Sequence, residues 1–107
     1  MTASMIYIVS GRLINSKDII QLQADVNYTR IYLKNGQEIM VATTLKKMEI
    51  RVQHCSQLIR VNKSSIVNLD YVKDFNSKQI VLNTGEVFTL ARRRKKLLSE
   101  KIAYFQY

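Results

Sequence analysis

Hydrophobic and polar residues alternate along most of this chain, and the period is two. Residues 5–9 (MIYIV) and 12–14 (RLI) flank Ser10-Gly11 and read as two strands about a tight turn. In residues 18–24 (DIIQLQA), Ile20, Leu22 and Ala24 share one face, with Gln21 and Gln23 opposite. Residues 28–34 (YTRIYLK) and 37–41 (QEIMV) surround Asn35-Gly36, a dipeptide suited to the positive φ angles of a type I′ hairpin turn. Tyr28 and Tyr32 then lie four residues apart on one strand face, placed to pair with residues across the sheet and not to form a stacking platform. Further strands are predicted at 58–62, 64–68, 71–75 and 78–83, and a second hairpin turns at Thr84-Gly85 into 86–90.

Two segments change period. From Thr44 to about Gln53, Leu45, Met48 and Val52 fall at helical spacing, with Thr43 or Thr44 as N-cap. From about Arg92 to Phe105, Leu98, Ile102 and Phe105 form one stripe with Leu97 beside it. Met40 and Met48 read as core filler. An echo at an offset of 49 residues matches Ile31, Leu33, Gly36, Ala42, Lys46 and Lys47 to Ile80, Leu82, Gly85, Ala91, Lys95 and Lys96. Both stretches are hairpin-then-helix. The expected fold is mainly β: small antiparallel sheets with two short helices, one mid-chain and one C-terminal, in a single domain over 1–107.

Composition narrows what such a domain does. The 107 residues carry 17 Lys and Arg against 8 Asp and Glu, a net charge of +9. The excess is uneven: residues 1–50 contribute +2 and residues 51–107 contribute +7. A field of that kind favours a polyanion: nucleic acid, an anionic membrane face or an acidic protein. No apolar run is long enough to span a bilayer, and the first residues lack the pattern of a secretory signal. One cysteine (Cys55) and one histidine (His54) leave no disulfide framework or thiolate zinc site, and as chain neighbours they make a poor catalytic pair. The carboxylates are scattered, so no acid/base pair stands out. No enzyme activity and no cofactor are expected.

Three segments carry candidate chemistry. Arg92-Arg93-Arg94-Lys95-Lys96 places five consecutive cations where the last helix should begin. The helix dipole disfavours cations there, by about 0.3–1 kcal/mol each, unless an external anion such as phosphate sits at that end. A solvated basic face is the plain alternative. Between Leu58 and Asn68, two apolar runs bracket Asn62-Lys63-Ser64-Ser65; Arg60 and Lys63 supply charge, and the short polar groups can hold phosphate oxygens. An ordinary polar turn would look the same. Finally, Asn27 stands where a loop enters the strand at Tyr28, and its amide offers donor and acceptor to a base edge. The C-terminal Tyr104, Phe105 and Tyr107 read as packing residues.

The ordered series NYTRIYLKNG, TLKKMEIRV, LIRVNKSSIVNLDYV and VLNTGEVFTLARRRKKLL resembles the LytTR DNA-binding domain of bacterial transcription regulators, from about Ile6 to Ile102. The resemblance implies that loops, not a recognition helix, enter the grooves of duplex DNA. It implies Asn27, Lys63 and Arg92 as base readers, and Arg60, Ser64, Arg93, Lys95 and Lys96 as phosphate contacts. Lys63 departs from the Arg or Asn frequent in the family, and Ala91 from a common Ser. The resemblance also implies two domains on imperfect direct repeats, with an upstream receiver domain or a membrane segment elsewhere in the protein. The chain is then either a fragment of a longer regulator or a stand-alone LytTR protein.

The expected function is sequence-specific duplex-DNA binding by a cytoplasmic transcription regulator of the response-regulator, two-component type, with no membrane contact from this segment. The alternatives are an RNA- or single-strand-binding module, which needs exposed aromatics beside the cations, and a protein-interaction module that docks an acidic partner.

Overall fold

The computed structural model describes residues 5–9 and 12–106, and the side chains of these except Val9 and residues 104–106. The Ser10-Gly11 turn, the C-terminal aromatics and the Phe105 end of the helical stripe therefore lie outside what is described. The strands are β1 (Met5–Val9), β2 (Arg12–Asn15), β3 (Ile19–Asp25), β4 (Tyr28–Leu33), β5 (Glu38–Val41), β6 (Leu58–Asn62), β7 (Ser65–Asn68), β8 (Val72–Phe75), β9 (Gln79–Leu82) and β10 (Val87–Thr89). The helices are α1 (Leu45–Val52) and α2 (Lys95–Gln106).

A five-stranded antiparallel sheet in the order β5-β4-β3-β7-β6 forms the middle layer. One face packs against the β1-β2 hairpin and α1 around Ile6, Leu22, Ile31, Met48 and Ile66. On the opposite face, Ile59, Val61 and Val67 meet the three-stranded sheet β10-β9-β8 and α2, through Ile80, Leu82, Phe88, Leu98 and Ile102. The fold is thus mainly β with small antiparallel sheets and two helices, as the alternation predicts.

Helix α1 forms for the reasons its sequence gives. Thr44 caps it by accepting from the Lys47 backbone N–H at 3.3 Å, and Leu45, Met48 and Val52 are buried on one face, each contributing about 1.5–3 kcal/mol. Two expectations about facing are corrected. Ile20 packs against the second core, away from Leu22, because a bulge between Ile19 and Gln21 shifts the β3-β4 register and breaks the alternation. Met40 is 47% exposed because its neighbours Ile39 and Val41 turn inward.

The Asn35-Gly36 turn also differs from the expected type I′. Gly36 has φ +88°, while Asn35 is not among the residues with positive φ. The Gly36 N–H donates to the Leu33 carbonyl at 3.0 Å and the Leu33 N–H to the Gln37 carbonyl at 2.9 Å. This is a three-residue loop, a type I turn closed by a left-handed glycine. Gly85 repeats it at φ +91°, with Gly85 N–H donating to Leu82 O at 2.9 Å and Leu82 N–H to Glu86 O at 3.0 Å. The 49-residue echo therefore extends to individual turn hydrogen bonds.

Asn68, fully buried, stitches the layers together. Its side-chain amide donates to the Ile19 carbonyl at 2.8 Å and the Ser16 carbonyl at 3.4 Å. Its Oδ1 accepts from the Asp70 N–H at 2.9 Å, starting a 3-10 turn. Asn15 starts a matching turn by accepting from the Lys17 N–H at 2.9 Å.

Candidate nucleic-acid interface

The strand register brings the three candidate segments to one end of the five-stranded sheet. Gln23 of β3 pairs with Ser65 of β7, and the Ala24 N–H donates to the Ser64 carbonyl at 2.8 Å. The β3-β4 turn that carries Asn27 therefore projects beside the β6-β7 turn that carries Lys63. On the far side of that turn, the Ala91 N–H donates to the Val61 carbonyl at 2.9 Å, and the Asn62 side-chain amide donates to the Thr89 carbonyl at 2.7 Å. The segment leading to Arg92 runs alongside β6 for that reason. Strand spacing puts the whole edge at roughly 15 Å across.

Each turn is held by its own polar contacts. At the first, Asp25 pairs with Tyr28 across Val26-Asn27, and Val26 takes φ +56°, unusual for a β-branched residue. The Arg30 guanidinium donates to Asp25 at 2.8 Å and to Glu38 at 3.2 Å. These hydrogen bonds, Asp25 first, raise the pKa of Arg30 above its ordinary value. At the second turn, Asn62 Oδ1 accepts from the Ser64 N–H at 2.8 Å, and Ser65, buried, donates to Gln23 at 3.3 Å. Asn62 and Ser65 thus spend their polar groups inside the protein, while Lys63 is exposed and Ser64 half-buried.

Arg60 is similarly occupied. Its Nε donates to the Asn62 carbonyl at 3.2 Å, Nη2 to the Lys63 carbonyl at 2.7 Å, and Nη1 to Glu49 at 2.9 Å. One guanidinium closes the turn by gripping two of its carbonyls.

The third segment departs from the expected helix start. Arg92–Arg94 form a 3-10 turn and α2 proper begins at Lys95. Ala91 has N-cap dihedrals but no side-chain oxygen to accept an N–H. Arg92 and Arg93 are exposed, whereas Arg94 folds back to within 3.8 Å of Glu49. Among the described residues, no ion pair engages Lys63, Arg92, Arg93, Lys95 or Lys96.

An open groove of about 640 Å³ lies between the second and third segments, lined by Arg60, Asn62, Lys63, Ala91, Arg93 and Arg94. Lys63 also borders a shallower groove of about 380 Å³ on the side of Gln23, Ser64 and Thr89. Lys63 therefore stands as a ridge between two depressions. Glu49 and its pairing with Arg60 and Arg94 leave no trace in the sequence, since no motif links a carboxylate on α1 to arginines 11 and 45 positions later. Lys46 and Lys47, also exposed, start α1 near the Asn27 turn, because Thr29 Oγ1 donates to the Thr43 carbonyl at 2.6 Å.

No curated protein matches the chain. Among solved structures, it is similar to one described as the LytTr DNA-binding domain of a methyl-accepting/DNA response regulator from Bacillus cereus. That match has 16% identity and a TM-score of 0.68, and covers 95% of this chain and 97% of the other. At that identity the likeness shows the fold. The family model of the LytTr DNA-binding domain matches residues 10–103, and on that match over nearly the whole length the chain belongs to the LytTR family of DNA-binding domains.

Proposed function

We propose that this domain reads duplex DNA in a sequence-specific manner through its three clustered turns, as the DNA-binding part of a cytoplasmic transcription regulator controlled by a receiver domain. One observation carries the reading: exposed cations with no ion pair among the described residues border a groove at the sheet end where all three turns meet. Asn27, Lys63 and Arg92 are the base readers. Ser64, Arg93, Lys95 and Lys96 hold phosphates and set register. Arg60, engaged through all three guanidinium nitrogens, acts chiefly by shaping the turn that presents Lys63. Two domains on imperfect direct repeats complete the site.

Among the described residues, no aromatic side chain lines the groove between Lys63 and Arg93, and Phe88 beside the shallower groove is buried. That favours a duplex over a single strand, which needs stacking platforms. Selection of bound fragments from a random duplex pool is expected to return a consensus, in two half-sites, that single-stranded competitors do not displace. Recovery of no consensus, or displacement by single strands at equal concentration, would overturn the reading.

A further inference from the structure

Glu49 is electrostatically out of place. A carboxylate beside the most basic surface lowers the local positive potential and opposes attraction of phosphate. Yet it reaches two other elements: Oε1 accepts from Arg60 on β6 at 2.9 Å, and Oε2 lies 3.8 Å from Arg94 in the 3-10 turn. The Arg60 side chain is only 15% exposed, the most enclosed of the ion-paired groups among the described residues. Arg94 Nη1 also approaches the Arg60 carbonyl at 3.5 Å. Glu49 thus orients both arginines, and Arg60 passes that constraint to the Lys63 turn through two carbonyls.

We infer that Glu49 is a positioning residue for DNA reading, fixing the Lys63 turn and the Arg92–Arg94 turn relative to each other at the expense of general phosphate attraction. The inference rests on the DNA-binding role proposed above. It predicts effects of opposite sign. Loss of the carboxylate strengthens charge-driven binding to any duplex and weakens binding that needs the turns in place.

The test compares wild type, Glu49→Ala and Glu49→Gln on the duplex recovered by selection with wild type and on a scrambled one. ¹⁵N relaxation of the DNA-free protein is measured beside it. For Glu49→Ala the ratio of the two affinities is expected to fall about tenfold, with the scrambled duplex bound somewhat more tightly. Amides of residues 63, 64, 92 and 93 gain mobility, while that of Gly36, in a distant hairpin, does not. Glu49→Gln keeps an acceptor for Arg60 and is expected to fall between, and it carries the test if the alanine variant does not fold. Equal tightening on both duplexes with unchanged relaxation would overturn the inference. A wild type that prefers neither duplex would instead defeat the DNA-reading role, and the relaxation data would still decide whether Glu49 holds the turns.

Discussion

Arg92 and Lys96 lie four positions apart in one basic run, yet they are expected to fail differently when removed. Arg92 is exposed at the start of the 3-10 turn, where its planar fork can meet a guanine edge, a pairing worth roughly 1–3 kcal/mol against a wrong base. Lys96 lies on the first turn of α2, a flexible point charge suited to phosphate. Arg92→Ala should therefore cut binding to the selected duplex by about tenfold or more and leave a scrambled duplex little changed. Lys96→Ala should weaken both about equally and flatten the salt slope by about one unit. Anisotropy titrations at several salt concentrations separate the two. Equal losses on both duplexes for Arg92→Ala would remove it from base reading.

At the scale of elements, three turns share a left-handed residue but not its chemistry. Gly36 and Gly85 sit at φ +88° and +91° with nothing within 4 Å of an added Cβ, so an alanine there suffers from backbone strain alone. Gly36→Ala and Gly85→Ala are each expected to cost about 1 kcal/mol, and Val26→Gly, which relieves the same conformation at φ +56°, to cost nothing or to stabilise. Urea melts of the three variants measure this, and unequal costs for the two glycines would show that the geometry shared across the 49-residue echo does not extend to stability. The echo and the hairpins were legible because glycine marks positive φ and the alternation marks strands. The bulge at Ile19–Gln21, which turns Ile20 to the other core, left no mark, because a bulge adds a residue without demanding a special one. The basic run was equally legible as charge. Its break into a 3-10 turn and a helix was not, since Arg60, Arg94 and Glu49 meet only through tertiary packing. Asn62 shows the same limit. Its residue type announces a turn, but the Thr89 carbonyl that takes its amide lies on a strand 27 positions away.

Over the whole molecule, a net charge of +9 would by itself imply a salt dependence far steeper than the proposed interface permits. If every excess charge met a phosphate, the slope of log affinity against log salt would approach about −8. Of the 17 cations behind that excess, many are committed or remote. Arg30 and Lys34 are paired with carboxylates, and Arg60 and Arg94 share Glu49. At the sheet end, the proposed phosphate-holding cations Arg93, Lys95 and Lys96 have no ion pairs among the described residues, which sets a slope of about −2.7 for one domain on one half-site. Raising salt from about 50 to 200 mM should then weaken binding roughly 40-fold. A slope of about −4.5 would extend the footprint past the Asn27 turn to Lys46 and Lys47 at the start of α1. A slope shallower than about −1 would mean that the sheet end is not where phosphates bind, because three cations held against phosphates release more counterions than that.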